Sequence, residues 1–356
     1  MARTRVLVVE DSATVRERLI EALAADPDIE LVCTAQDGRE AVELCRAHRP
    51  DVITMDMMMP IMSGLAATEY IMAHQPTPIL IVSASLNRGE LFKIYDALAA
   101  GAVDVLEKPI GDEFDSDWER RLLSAVKLVA RIKVITHPRA RLEAKRCASE
   151  VPVHSLQLPR PARSPEVIAI GASTGGPGAV LEVLRKLPPR VDTPILVVLH
   201  MNPPFESAFT DWLDAQIERR VIRAETGVAV SELRGCVAVA PAGRHLLVRQ
   251  GRLAFTLDKE RHSCRPSIDV LFESIAAEFG ASASACLLTG MGRDGAAGLL
   301  KIRQAGGVTI AQDEASSVVY GMPREAAALG AATYVLPLDE IGIRLAALEG
   351  LTMEAP

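Results

Sequence analysis

Short apolar runs alternate with stretches of helical period along most of the chain. From Arg5 to Ile135 the runs are RVLVV, IELVCTA, DVITMDM, PILIVSAS and AVDVLEK. The stretches that follow them in turn are VRERLIEALAA, REAVELCRAH, GLAATEYIMAH, GELFKIYDALAAG and DWERRLLSAVKLVARI. A continuous apolar run of roughly four to eight residues reads as a strand buried on both faces. Strand–helix alternation with short connections predicts a parallel sheet covered by helices on both sides. Five such units predict one small doubly wound α/β domain over residues 1–125. From His137 to Pro165 the pattern stops. HPRARLEAKRCASEVPVHSLQLPRPARSP is rich in Pro, Arg and Ser and has no sustained period, so it reads as a solvated linker. With the end of the preceding helix it takes up residues 126–164. Alternation resumes at Glu166, where EVIAIGAS, PILVVLH, GCVAVAPAG, ACLLTGM and GVTIAQD read as strands of a second, Rossmann-like α/β domain over residues 165–350. HLLVRQGRLAFTL interrupts the rhythm as a hairpin turning at Gln250–Gly251. The two halves share an architecture class but no motif, and no repeat of solenoid length is present.

The 356 residues, 49% of them hydrophobic, supply two real cores. The net charge of −7 lacks the basic footprint of a nucleic-acid binder, and the second half shows no helix-turn-helix, which argues against a DNA-binding regulator. Six cysteines without a Cys-x-x-Cys pair read as reduced thiols of a cytoplasmic protein. The start, MARTRVLVVEDS, has no signal-peptide pattern, and no apolar run approaches the ~20 residues of a membrane span. The expectation is an intracellular protein that is not membrane-embedded.

In the first half, polar residues collect at the expected carboxyl ends of strands: Glu10 and Asp11 after RVLVV, Asp56 at the end of DVITMD, Ser83 after ILIV, and Lys108 before Pro109. Ligands of open parallel sheets bind there. Three converging carboxylates repel one another unless a hard cation sits among them, and Mg²⁺ suits oxygen ligands while leaving room for phosphate oxygens. Lysine and serine would hold the remaining oxygens of a phosphoryl group carried on Asp56. Taken singly, each residue has a bland reading; Asp11 or Ser12, for instance, could simply cap the next helix.

In the second half, Gly171-Ala-Ser173-Thr-Gly175-Gly176 admits three readings. The G-x-G-x-x-G fingerprint fails because Ser173 stands at the second glycine position, and no Gly-Lys-Ser/Thr follows for a P-loop. A purely structural turn is the default for so short a stretch. The third reading is a nucleophile elbow, G-x-S-x-G, lifting Ser173 above the sheet at a helix N-terminus. It needs a base and an orienting acid. His200 ends PILVVLH, and Asp294 lies in the glycine-rich bend after ACLLTGM. Sequence alone leaves His245 and His262 open as bases, and Cys264 as a thiol nucleophile without an elbow. The order Ser…His…Asp departs from that of α/β-hydrolases.

The motifs ED near the start, MDMMMP-x-M-x-G around Asp56 and the late KP resemble the receiver domain of two-component response regulators, which is flavodoxin-like. IGASTGGP, LHMNPPF, VAPAGRHLLV, CRPSIDVLFES, LLTGMGRDGA and AQDEASSVVYGMPREA resemble the catalytic domain of the CheB protein-glutamate methylesterases, and receiver, linker and esterase stand in that family's order. The resemblance implies a triad of Ser173, His200 and Asp294, oxyanion donors at Met291 and Thr174, and His245 and Arg265 lining the region outside the triad. It implies Mg²⁺ on Glu10, Asp11 and Asp56, Asp56 as phosphoacceptor, Ser83 and Lys108 as phosphoryl sensors, and no cofactor in the esterase. It further implies hydrolysis of glutamate methyl esters on methyl-accepting chemoreceptors, deamidation of receptor glutamines, a chemotaxis histidine kinase as phosphodonor, and a resting receiver that covers the catalytic crevice. Many receivers carry an aromatic three residues before the lysine; this chain has Val105. A receiver-controlled adaptor with a silent second domain is the alternative.

Overall fold

A computed structural model describes residues 3–84, 88–109, 116–132, 134, 164–201 and 205–349. The chain divides into two compact units, residues 1–154 and 155–356. Most of the expected linker and the stretch Asn202-Pro203-Pro204 lie outside the described residues.

The first unit alternates β1 (Thr4–Val9), α1 (Ala13–Ala24), β2 (Ile29–Ala35), α2 (Gly38–His48), β3 (Val52–Met55), α3 (Gly64–His74), β4 (Ile79–Ser83), α4 (Arg88–Ala99), β5 (Asp104–Glu107) and α5 (Ser116–Val129). The strands pair in parallel in the order β2-β1-β3-β4-β5. All five runs read from the sequence are therefore strands. Val52–Met55 and Ile79–Ser83 are buried throughout, as strands covered on both faces require. Ser12, Asp37 and Ser63 cap α1, α2 and α3 by accepting from backbone amides of the first turns. The strand order reverses between β1 and β3, so the ends of these two strands flank a switch-point crevice. Glu10, Asp11 and Asp56 stand there.

The second unit runs β6 (Val167–Ala172), α6 (Gly176–Arg185), β7 (Ile195–Leu199), α7 (Phe205–Gln216), β8 (Val221–Arg223), β9 (Val237–Val239), β10 (His245–Arg249), β11 (Arg252–Thr256), α8 (Ile268–Phe279), β12 (Ala283–Leu287), α9 (Ala296–Gln304), β13 (Val308–Gln312), α10 (Met322–Ala328), β14 (Tyr334–Leu336) and α11 (Leu338–Leu348). Seven strands form a parallel sheet in the order β14-β13-β12-β6-β7-β9-β8. The edge strands β8 and β14 are additions to the five expected from the apolar runs: each is short and only partly buried, so neither shows an apolar run, whereas the equally short β9 is buried throughout. The hairpin β10–β11 forms as expected, with Gln250 (φ 50°) and Gly251 (φ 69°) both left-handed, the backbone a two-residue type I′ turn demands.

Here the order reverses between β12 and β6, and that crevice opens beside the end of β7. Helix α8 packs Ile268, Leu271, Phe272 and Ile275, all fully buried, into the core that the sheet shares. Each such side chain stabilises the unit by about 1.5–3 kcal/mol. The helix comes close to β6 because Gly171 has no side chain: a Cβ there would lie 2.4 Å from Ile268 Cγ2. That approach places the N-terminus of α8 beside the carboxyl end of β6. No described helix is long and apolar enough to cross a membrane.

Candidate functional sites

Strand β6 ends at Ala172, and the chain turns at once into α6. The Ser173 amide donates to the Thr289 carbonyl (3.0 Å), and the Ser173 carbonyl accepts from Gly176 (2.6 Å). Gly175 supplies the left-handed residue of this turn at φ 74°. Gly290 passes so close that a Cβ on it would sit 2.7 Å from Ser173 Cβ. Ser173 is half-buried, and among the described residues its Oγ has no hydrogen-bond partner. The amides of Thr174 and Met291 likewise donate to no described group. Both stand at this strand end, Thr174 next to Ser173 and Met291 next to Gly290.

His200 is the first residue after β7, and its amide donates to the Ala172 carbonyl (3.2 Å), so the ends of β6 and β7 lie side by side. Its Nε2 meets Asp294 Oδ2 at 2.9 Å, with only 14% of the His200 side chain exposed. Its Nδ1 lies 3.6 Å from Cys264 Sγ.

Asp294, 2% exposed, is the most constrained group of the site. Oδ1 accepts from Ser267 Oγ (2.7 Å) and the Asp269 amide (3.2 Å), and Oδ2 accepts from the Ile268 amide (2.7 Å) as well as facing His200. Ser267, Ile268 and Asp269 open α8. The carboxylate therefore caps that helix from a distant loop, where Ser267 itself makes no side-chain cap. Burial pushes the Asp294 carboxyl upward, but His200, Ser267 and the Ile268 amide outweigh it and hold it below the ordinary range. Burial pulls the His200 imidazole down, while Asp294 and Cys264 raise it to about 9. An imidazole near 6.5 in the unfolded chain thus contributes stability that is complete below that pH and is lost as pH rises through about 9.

His245 is buried at 1% exposure. Its Nδ1 accepts from the Ser267 amide (3.1 Å) and its Nε2 meets the Lys259 carbonyl (3.2 Å), so it supports the residue that clamps Asp294. Arg265 donates to the carbonyls of Leu257 and Asp258. His262 pairs with Asp269 (3.2 Å), behind Asp294. Sequence reasoning misses Ser267 and Asp269, although both lie within CRPSIDVLFES. Their place in the site depends on where α8 starts against β6.

In the first unit, Lys108 Nζ bridges Glu10 Oε2 and Asp56 Oδ1, 2.7 Å from each. Oxygens of Glu10, Asp11 and Asp56 all lie within 4.8 Å of one another. Burial, with the Asp56 charge adding to it and Lys108 opposing, raises the Glu10 carboxyl. Burial disfavours the Lys108 ammonium, but the two carboxylates prevail and raise it. A cluster of hard oxygens in which two of the three carboxylates, Glu10 and Asp56, are buried fits a Mg²⁺ ion. Ser83 is buried at the end of β4, and its carbonyl accepts from the Lys108 amide (3.0 Å). Gly64 keeps the loop after Asp56 compact, since a Cβ there would lie 2.0 Å from the Asp56 carbonyl oxygen. Val105, half-buried on β5, stands at the aromatic position.

Residues 168–345 match the CheB methylesterase family, and residues 6–114 match the response regulator receiver domain. A protein-glutamate methylesterase/protein-glutamine glutaminase of Nitrosospira multiformis is 44% identical over 98% of this chain and 97% of its own length. A second protein of that description, from Anaeromyxobacter dehalogenans, is 42% identical over 95% of this chain and 94% of its own. The crystal structure of the Thermotoga maritima CheB methylesterase catalytic domain is 37% identical, covering 52% of this chain and 99% of that one, with a TM-score of 0.49.

Proposed function

The chain belongs to the CheB methylesterase family, as a protein-glutamate methylesterase/protein-glutamine glutaminase with a response regulator receiver domain, and we propose from that premise how its residues perform and control the reaction. The substrate is a glutamate γ-methyl ester on a methyl-accepting chemoreceptor. Ser173 Oγ attacks the ester carbonyl while Nδ1 of His200 takes the hydroxyl proton, because Nε2 is committed to Asp294. Negative charge gathers on the carbonyl oxygen, and the amides of Thr174 and Met291 stabilise it. The imidazolium returns the proton to the departing methoxide, methanol leaves, and an acyl-serine remains. Water, deprotonated by the same nitrogen, attacks the acyl carbon and releases the glutamate carboxylate and the serine hydroxyl. With a glutamine substrate, ammonia leaves in place of methanol. Asp294 fixes the imidazole and stabilises its charged form. What supports this reading is the 2.9 Å His200–Asp294 contact, together with the positions of Ser173, His200 and Asp294 after three strands that neighbour one another in the sheet.

Asp56 is the phosphoacceptor, supplied by a histidine kinase of the chemotaxis type. Glu10, Asp11 and Asp56 would hold Mg²⁺, whose charge offsets that of the incoming phosphoryl group. On phosphorylation, Lys108 gives up its bridge to Asp56 Oδ1 and, with Ser83, holds phosphoryl oxygens. That exchange of partners biases the domain between two states. The protein acts in the cytoplasm, at membrane-embedded receptors. With methylated receptor membranes and Mg²⁺, a small phosphodonor raises methanol release on the order of tenfold, and Asp56→Asn abolishes the response. An Asp56→Asn protein that still answered the phosphodonor would remove Asp56 as the acceptor.

A further inference from the structure

Both ring nitrogens of His200 are engaged. Nε2 meets Asp294 at 2.9 Å, and Nδ1, the nitrogen that must take the Ser173 proton, is faced at 3.6 Å by the sulfur of Cys264. Ser173 Oγ has no partner among the described residues. The thiol is held there by a tight turn. Arg261 and Cys264 exchange two backbone hydrogen bonds (3.2 and 2.9 Å), and both residues between them are left-handed without being glycine: His262 at φ 53° and Ser263 at φ 61°. Such a backbone persists only where its surroundings over-determine it, and it clusters at functional sites. The surroundings are visible. The Arg261 guanidinium forks onto Glu273 (2.6 and 2.9 Å), and both Arg261 and His262 reach Asp269, whose amide donates to Asp294. One framework therefore fixes both groups that flank the imidazole.

We propose that Cys264 is a positioning residue of the esterase: its sulfur holds Nδ1 of His200 in the resting crevice and yields that nitrogen to Ser173 Oγ when the ester enters. The proposal rests on the Ser–His–Asp reading above. The titratable groups in contact with the ring are Asp294, from the loop before α9, and Cys264, from the turn before α8. Arg261, His262, Asp269 and Arg293 stand behind them. Asp294 and Cys264 both favour the imidazolium against burial. The reaction needs neutral imidazole, so the rate rises with pH through the His200 titration. Removing the sulfur lowers that midpoint, which a residue that only fills space would not do.

The test uses full-length wild type, Cys264→Ala, Cys264→Ser and Ser173→Ala. The kcat/KM for methanol release from methylated receptors is followed against pH, and the His200 Cε1–H resonance is titrated by NMR in the same proteins. In Cys264→Ala both midpoints fall by about one pH unit, and Cys264→Ser, which keeps a polar atom at the position, shifts less. Wild-type midpoints in Cys264→Ala overturn the proposal. Turnover surviving in Ser173→Ala would instead overturn the esterase reading, and the NMR midpoint would still decide whether Cys264 holds His200.

Discussion

Ser173→Ala lowers methanol release by about 10⁴-fold or more. The nucleophile of an acyl-transfer triad cannot be replaced by its partners, and what survives its loss comes from binding and the oxyanion donors alone. The substitution removes an Oγ that makes no hydrogen bond with a described residue, so stability stays within about 0.5 kcal/mol of the wild type in thermal melting. A large rate loss in an equally stable protein separates chemistry from folding. Cys264 does not take over, although its sulfur also touches His200. That sulfur lies 3.4 Å from the His262 carbonyl oxygen, a dipole that opposes an oxyanion, whereas Ser173 is followed directly by the open amide of Thr174. Turnover retained in Ser173→Ala and lost in Cys264→Ala would make the thiol the nucleophile.

Asp294→Asn lowers turnover by about 10³–10⁴-fold and moves the pH dependence. The carboxylate accepts from Ser267 Oγ and from the amides of Ile268 and Asp269 while it faces His200. An asparagine has one acceptor oxygen for this set, and its NH₂ must point at a donor or at the imidazole. The buried donor left unpaired costs about 1–3 kcal/mol, visible in thermal melting. Without the carboxylate, His200 falls from about 9 toward the ordinary histidine value. The rising limb of the pH–rate profile then moves to lower pH as its plateau collapses. A variant with the wild-type limb and a rate within about tenfold of wild type would deny Asp294 its role.

Much of this arrangement is legible in the order of residues along the chain. Most strands of both sheets are legible as apolar runs, the fully buried central ones most clearly, whereas the short, partly exposed edges β8 and β14 show none. The positions of Ser173 and His200 are legible for the same reason: each apolar run stops abruptly at a polar residue, which places that residue at a strand end. Asp294 is reached only as a residue in the bend after β12. Its clamp by Ser267 and the first amides of α8 depends on how closely that helix meets β6, which the absence of a side chain at Gly171 permits. The approach of Cys264 to Nδ1 of His200 comes from a turn with two consecutive left-handed residues, His262 and Ser263, whose side chains give no hint of that backbone. In the first unit the carboxylate trio and Lys108 stand where the strand ends put them. The bridge from Lys108 to both Glu10 and Asp56 is a matter of side-chain geometry that spacing does not fix.

The role of Ser173 as the activated nucleophile of a methylesterase is open to direct chemical test. A fluorophosphonate reagent, which phosphonylates activated serines, tests it when adduct mapping by mass spectrometry is run beside methanol release from methylated receptors. One adduct is expected, on the peptide carrying Ser173, accumulating in step with the loss of methanol release. An unlabelled Ser173 peptide in inactivated enzyme, or full turnover from protein labelled there, would contradict it.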